Sequence, residues 1–210
     1  MQQIDFKPPE KPGKRARTRR RIFDAAMRLF EERGYRQTTV ADICAATDIA
    51  RATFFLHFPL KSALILELSR AMAAEWATHR LRLPEATPSE TLRQLLEFIM
   101  SRDVSRDVAT SLLDEFRQDF GEDHSLITAP GTMLGEVVRL VAAAQRKREL
   151  TRDIPARELG LHFHRVTSAY VLAAKGSRRQ RAARAWRLFA LGAANPESAP
   201  ARRSKTSPSR

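Results

Sequence analysis

The side chains best equipped for chemistry in this chain are its arginines and lysines. Lys14, Arg15, Arg17, Arg19, Arg20 and Arg21 crowd one short stretch, and 37 Lys plus Arg oppose 24 Asp plus Glu, a formal net charge of +13. Such an excess favours polyanions, either nucleic acid or an acidic membrane surface. Other chemistries lack their parts. Cys44 is the only cysteine, so neither an intramolecular disulfide nor a cysteine-rich zinc site can form. His162 and His164 are two apart, a spacing that sends them to different sides of a helix, and neither metal nor cofactor is expected. Asp114 and Glu115 with a histidine could act as acid–base groups. No Gly-rich phosphate loop or nucleophile elbow accompanies them, so the chain does not read as an enzyme. No apolar run approaches the roughly 20 residues of a membrane span, and Met1 to Arg21 is polar and basic. The expected location is the cytoplasm.

The elements that must position these residues are helical. An apolar share of 43% is enough for a core. Ile22, Ala25, Ala26, Leu29 and Phe30 recur at the spacing of one helical face, and Gly34 is placed to end that helix. The same period returns in Leu92, Leu95, Leu96 and Ile99, in Val108, Leu112, Phe116 and Phe120, and in Leu134, Val137, Val138 and Val141. Breaks at Pro84 to Pro88, Gly121, Pro130 to Gly131, Asp153 to Pro155 and Gly176 to Ser177 divide the chain into about nine helices. Thr39, Ser89 and Asp153 are the expected helix caps. The predicted fold is all-α: a Pro-rich, charged arm over 1–14, a three-helix domain over 15–76, a larger helical domain over 77–195 and a basic tail over 196–210.

The segment from Arg21 to Leu68 reads RIFDAAMRLFEERGYRQTTVADICAATDIARATFFLHFPLKSALILEL. It resembles the DNA-binding domain of the tetracycline-repressor (TetR) family, whose pattern runs AA..LF...G, then TT..DIA, a turn, and T.Y.HF..K..L. The blocks align without a gap. By this resemblance the chain is a helix-turn-helix transcription regulator with its motif at about 39–58. A short helix from Thr39 to Ala46 would cross the DNA backbone, and a second from about Ala50 to Leu56 would enter the major groove. Val40, Ile43, Ile49 and Phe54 would hold the pair on the first helix. The outer face of the second helix would carry Arg51, Ala52, Phe55 and His57.

Arg51 is the expected base reader, because its planar fork fits guanine. Lys61 corresponds to a phosphate-contacting lysine of the family. Arg17, in the basic run, and Ala50, at the start of the second helix, complete the expected interface with Thr38, Thr39 and Thr53, hydroxyls that could cap helices or meet phosphates. His57 is equally a surface or capping residue. Phe54, Phe58 and Tyr35 read as packing. Cys44 reads as a buried inert thiol. The sequence departs from the family pattern at Asp48, where the turn usually has Gly, at Ala50, usually a Ser-like cap, at Cys44 and Thr47, usually Ala, and at Phe55, usually Tyr.

The resemblance further implies a homodimer on an inverted-repeat operator, a second domain that holds a small-molecule effector, and repression as the default. Phe98, Phe116, Phe163 and Tyr170 are the expected pocket residues, with Met100, Leu113 and Met133 beside them. Two late helices carrying Leu159, Phe163, Val166, Tyr170, Trp186, Leu188 and Phe189 are the expected dimer contact. The competing reading is a nonspecific polyanion binder driven by the basic ends.

Overall fold

The computed structural model describes residues 13–102, 127–172 and 175–194. Among them the regular structure is eight helices: α1 (Lys14–Arg33), α2 (Val40–Thr47), α3 (Arg51–His57), α4 (Ala63–Arg80), α5 (Pro88–Ser101), α6 (Met133–Arg146), α7 (Ala156–Leu172) and α8 (Arg178–Ala193). The row from Val108 to Phe120 and the two chain ends lie outside the described residues. The chain divides into two compact units, Met1–Glu67 and Leu68–Arg210, and the division falls inside α4.

In the first unit the stripe read from the sequence is the buried face of α1: Ile22, Phe23, Ala25, Ala26, Leu29 and Phe30. Gly34 ends the helix at φ 85°, a conformation open chiefly to glycine, and its N–H donates to the Phe30 carbonyl at 3.0 Å. The chain then turns so that Tyr35 packs at a tilt against Phe30, ring centroids 4.8 Å apart. α1 packs on α2 and α2 on α3, around the fully buried Ile43, Phe54, Phe58 and Leu64.

Among the described residues the second unit holds four amphipathic helices, with α5 against α6 and α8, and α7 between α6 and α8. Its core holds Leu92, Leu95 and Leu96 of α5, Val137, Leu140 and Val141 of α6, Leu159 and Phe163 of α7, and Phe189 of α8. Gly160 allows α6 and α7 to approach closely, since a Cβ there would sit 2.8 Å from Val138 Cγ2. Trp76 of α4 also belongs to this core. The helix assigned by sequence to the first domain as far as residue 76 therefore contributes at its C-terminal half to the second unit.

Two capping expectations need correction. Thr87, not Ser89, caps α5, its hydroxyl accepting the Glu90 N–H at 3.3 Å with Pro88 in the first helical position. Ser89 instead lends its N–H to Glu149 Oε2 at 2.8 Å. Asp153 lies ahead of α7, whose first accepting carbonyl is that of Pro155, and its carboxylate takes the Thr151 hydroxyl at 2.9 Å.

Candidate nucleic-acid interface

α2 is started by a reciprocal cap. The Thr39 hydroxyl accepts the Asp42 N–H at 3.1 Å, while Asp42 Oδ2 accepts the Thr39 N–H at 2.8 Å and its hydroxyl at 2.6 Å. These bonds hold the Asp42 carboxyl below its ordinary value, and they satisfy donors that the first turn would otherwise leave bare. At the other end Asp48 takes the left-handed conformation, φ 49° and ψ 55°, as its position in place of glycine predicted. Its N–H donates to Ala45 O at 3.4 Å and that of Ile49 to Cys44 O at 3.1 Å. This pair of reversed bonds closes a helix end around a left-handed residue, and it aims the chain into α3 within three residues.

Ala50 is the cap residue of α3. Its backbone is already extended, φ −70° and ψ 150°, yet no side-chain cap bond exists. An Ala50→Ser substitution therefore adds a bond without moving the backbone. It should raise the stability of the first unit by about 1 kcal/mol, read as a shift of the denaturant midpoint at constant slope; an unchanged midpoint would contradict this account of the cap.

On a seven-residue helix, 100° per residue decides what faces out. Arg51, Ala52, Phe55 and Leu56 lie on one arc and are all exposed, Leu56 at 69% and Phe55 at 42%. Phe54 and His57, three apart, lie on the opposite arc and are buried, with Thr53 half-buried between the two sets. The expected outer face is thus right for Arg51, Ala52 and Phe55 and needs correction at His57, whose place Leu56 takes. The i, i+3 spacing from Phe54 was the signal that could have found this.

Burial and the positive charges of Arg15 and Arg19 hold the His57 imidazole below its ordinary pKa of 6.5. The unfolded chain then takes up a proton before the folded one, so stability is full above that value and falls as pH drops below it. The first unit should melt earlier at pH 5.5 than at pH 7.5, and His57→Gln should remove part of that difference; an equal pH dependence in the variant would refute this role.

Three further expected contacts have intramolecular tasks. Thr38 is fully buried, its hydroxyl donating to Gly34 O at 2.8 Å and Leu29 O at 3.2 Å, which corrects its reading as a phosphate donor. The exposed Thr39 serves the α2 cap. Lys61 Nζ donates to Tyr35 O at 3.1 Å and Thr38 O at 3.3 Å and stands 4.0 Å above the Tyr35 ring, so it ties the start of α4 to the α1–α2 connection. Arg17 is exposed, as is Ala50. Cys44 is buried and its thiol pushed up by burial, which fits an inert packing role.

Of the expected pocket residues, three lie among the described residues of the second unit. Phe98 and Phe163 are buried core residues and Tyr170 packs at the core's edge; Phe116 lies outside the described residues. Phe98 is enclosed by Trp76 at 5.4 Å, by His79 at 5.2 Å and by the Arg102 guanidinium at 4.3 Å. A cleft of about 740 Å³ opens elsewhere, between α4, the segment after it, α5 and the start of α6, with Ala73, Trp76, Leu83, Gln94, Arg80 and Arg139 among its walls. Of the expected dimer residues, Leu159, Phe163, Val166 and Phe189 are buried within this unit and Leu188 of α8 stands exposed at 50%; Leu191, which the sequence reading did not single out, is exposed beside it at 73%. Among the described residues no group of acidic, histidine or cysteine side chains could hold a metal ion, and no helix is long and apolar enough to cross a membrane.

A capped helix, a tight left-handed turn and a second helix with an exposed basic and apolar arc define a helix-turn-helix domain of the DNA-binding class. Residues 22–68 match the family model for bacterial regulatory proteins of the tetR family. Over 79 residues the chain is 33% identical to the uncharacterized HTH-type transcriptional regulator YvkB of Bacillus subtilis (strain 168), a match covering 38% of this chain and 40% of that protein. The chain thus spans less than half the length of that relative. In solved structures it is similar to GusR of Salmonella enterica, with 22% identity, a TM-score of 0.61, and coverage of 86% of this chain and 97% of that one. It is also similar to Thermus thermophilus FadR, a TetR-family transcriptional repressor solved with lauroyl-CoA, with 25% identity, a TM-score of 0.57, and coverage of 81% and 92%. Residues 22–68 are thus similar to the tetR-family domain of bacterial regulatory proteins, and the chain shares the fold of GusR and FadR.

Proposed function

We propose that this chain is a homodimeric repressor that reads an inverted-repeat operator in double-stranded DNA with α3 and is released from it by a small-molecule effector. The observation that carries the reading is the exposed arc of α3: Arg51 and Phe55 stand one turn apart, beside Ala52 and Leu56, within a domain matched to bacterial regulatory proteins. Arg51 would pair with guanine O6 and N7, and the small Ala52 with the apolar Phe55 and Leu56 would meet thymine methyl groups and sugar edges. Arg17, Thr39, Thr53 and Lys61 would serve the phosphates, Lys61 while also holding its two carbonyls. The charge of +13 supports the steering of such a chain to DNA.

One α3 reads half a site, so a symmetric pair of subunits is the natural reader of a palindrome. Leu188 and Leu191, exposed on α8, are the residues we assign to that contact. The 740 Å³ cleft is the candidate effector site, of a size suited to a small organic ligand; the solution of FadR with lauroyl-CoA favours regulation by a bound small molecule. Work in the cytoplasm follows from this role. Selection of duplexes from a random library tests the proposal: the full chain should enrich an inverted repeat with a guanine in each half. Recovery of an unrelated, motif-free pool would leave only the nonspecific polyanion binder.

A further inference from the structure

Arg19 stands in the basic run that the sequence offers to phosphate, but the structure turns it inward. Its guanidinium is partly buried and makes three contacts at once. Nη1 donates to the His57 main-chain carbonyl at the C-terminal end of α3. Nη2 donates to Glu67 Oε2 on α4 at 2.7 Å. The plane of the group lies over the Phe58 ring, 4.2 Å from its centroid. Its neighbours behave differently: Arg20 pairs with Asp24 on its own helix at 2.9 Å, and Arg15 and Arg17 are exposed.

The physical consequence follows from what α3 lacks. The helix has seven residues and no side-chain cap at its start, so little within it fixes its pose. A carbonyl in its last turn has no partner inside the helix, and a cation at that end is favoured by the aligned peptide dipoles. Arg19 supplies the donor and the charge, and its planar fork presents a second nitrogen to a carboxylate in a fixed geometry, where a lysine offers a single nitrogen. Glu67 in turn orients the fork. Since Glu67 belongs to α4, a displacement of α4 at that point is delivered to the end of α3.

We propose that Arg19 is a positioning residue for DNA recognition: tethered by Glu67, it fixes the C-terminal end of α3 and hence the pose in which Arg51, Phe55 and Leu56 meet the bases. The inference rests on the reading of α3 as the DNA-reading helix. Electrostatics alone makes the opposite claim about Glu67, because deleting a negative charge should strengthen binding to a polyanion. The test titrates the full-length wild type, Glu67→Ala, Arg19→Lys and the Arg19→Ala, Glu67→Ala double variant against the selected duplex and a scrambled one over a salt series.

The tether predicts that Glu67→Ala weakens selected-site binding by roughly tenfold, the size expected when one charge-assisted hydrogen-bonded contact is lost, with scrambled DNA unaffected and the salt slope unchanged. Arg19→Lys, which keeps the charge, should lose selectivity in the same way, and the double variant should be little worse than either single one. Tighter or unchanged binding by Glu67→Ala overturns the proposal, as does a salt slope lowered by about one for each Arg19 removed, which would make Arg19 a phosphate contact. If the wild type selects no sequence, the reading of α3 fails first. The tether is then judged by amide exchange at Phe54 to Phe58, where faster exchange in Arg19→Lys supports it and unchanged exchange sinks it.

Discussion

Replacing Arg51 with alanine should lower affinity for the selected operator by about tenfold to a hundredfold per half-site, since a bidentate arginine–guanine pair carries about 1–3 kcal/mol of discrimination. The loss should be confined to one base position in each half. Arg51 is exposed at the first turn of α3, so its removal opens no cavity and breaks no bond within the fold. The melting temperature should therefore stay within about four degrees of the wild type, as for surface substitutions that change stability by under about 0.5 kcal/mol. Binding to scrambled duplex should weaken only as much as one lost charge requires. An equal drop on selected and scrambled DNA would reassign Arg51 to the phosphate backbone.

The second large effect separates two adjacent phenylalanines. Phe54 is fully buried, with Phe55 edge-on at 5.4 Å and Phe58 at 5.9 Å. Phe54→Ala should destabilise the first unit by about 3–5 kcal/mol through lost burial and the cavity left behind. That is a large fraction of the roughly 5–15 kcal/mol that holds an ordinary domain together, so DNA binding should disappear near the physiological temperature though Phe54 touches no DNA. Phe55→Ala, one residue on and 42% exposed, should cost under about 1 kcal/mol of stability and still weaken operator binding in the cold. Chemical denaturation of both variants followed by tryptophan-independent far-ultraviolet dichroism, with DNA titration at 10 °C and 37 °C, distinguishes the two. Similar stabilities would mean that the arc of α3 is misplaced.

The contrast shows how far the sequence reaches. Apolar positions spaced at three and four marked the buried face of α1, and Thr39 ahead of an apolar-periodic run marked the cap of α2, because both are local effects written in neighbouring residues. The left-handed Asp48 was legible for the same reason. His57 was misassigned because the outer face of α3 was read without following the helical turn past Phe55. Thr38 was misassigned because its partners, Leu29 and Gly34, are supplied by the end of another helix. Arg19 shows the limit most clearly. Its contacts lie 38 and 48 residues away, and nothing in a run of six basic residues says which one turns inward. The cleft of the second unit was illegible for a related reason: Phe98 and Phe163 have the aromatic character of pocket walls, but helix packing buries them, and the cleft is walled by residues of mixed type, from Ala73 and Trp76 to Gln94 and Arg139, that no sequence pattern links.

The central claim, that α3 reads bases from the major groove, meets its most direct test in methylation protection. Dimethyl sulfate modifies guanine N7, the atom Arg51 is assigned to contact. On the selected duplex the wild-type chain should protect one guanine in each half-site, and Arg51→Ala, at a concentration that restores occupancy, should leave both guanines reactive while the rest of the footprint persists. Protection unchanged in Arg51→Ala, or a bound duplex whose guanines all stay reactive with wild type, would contradict the account.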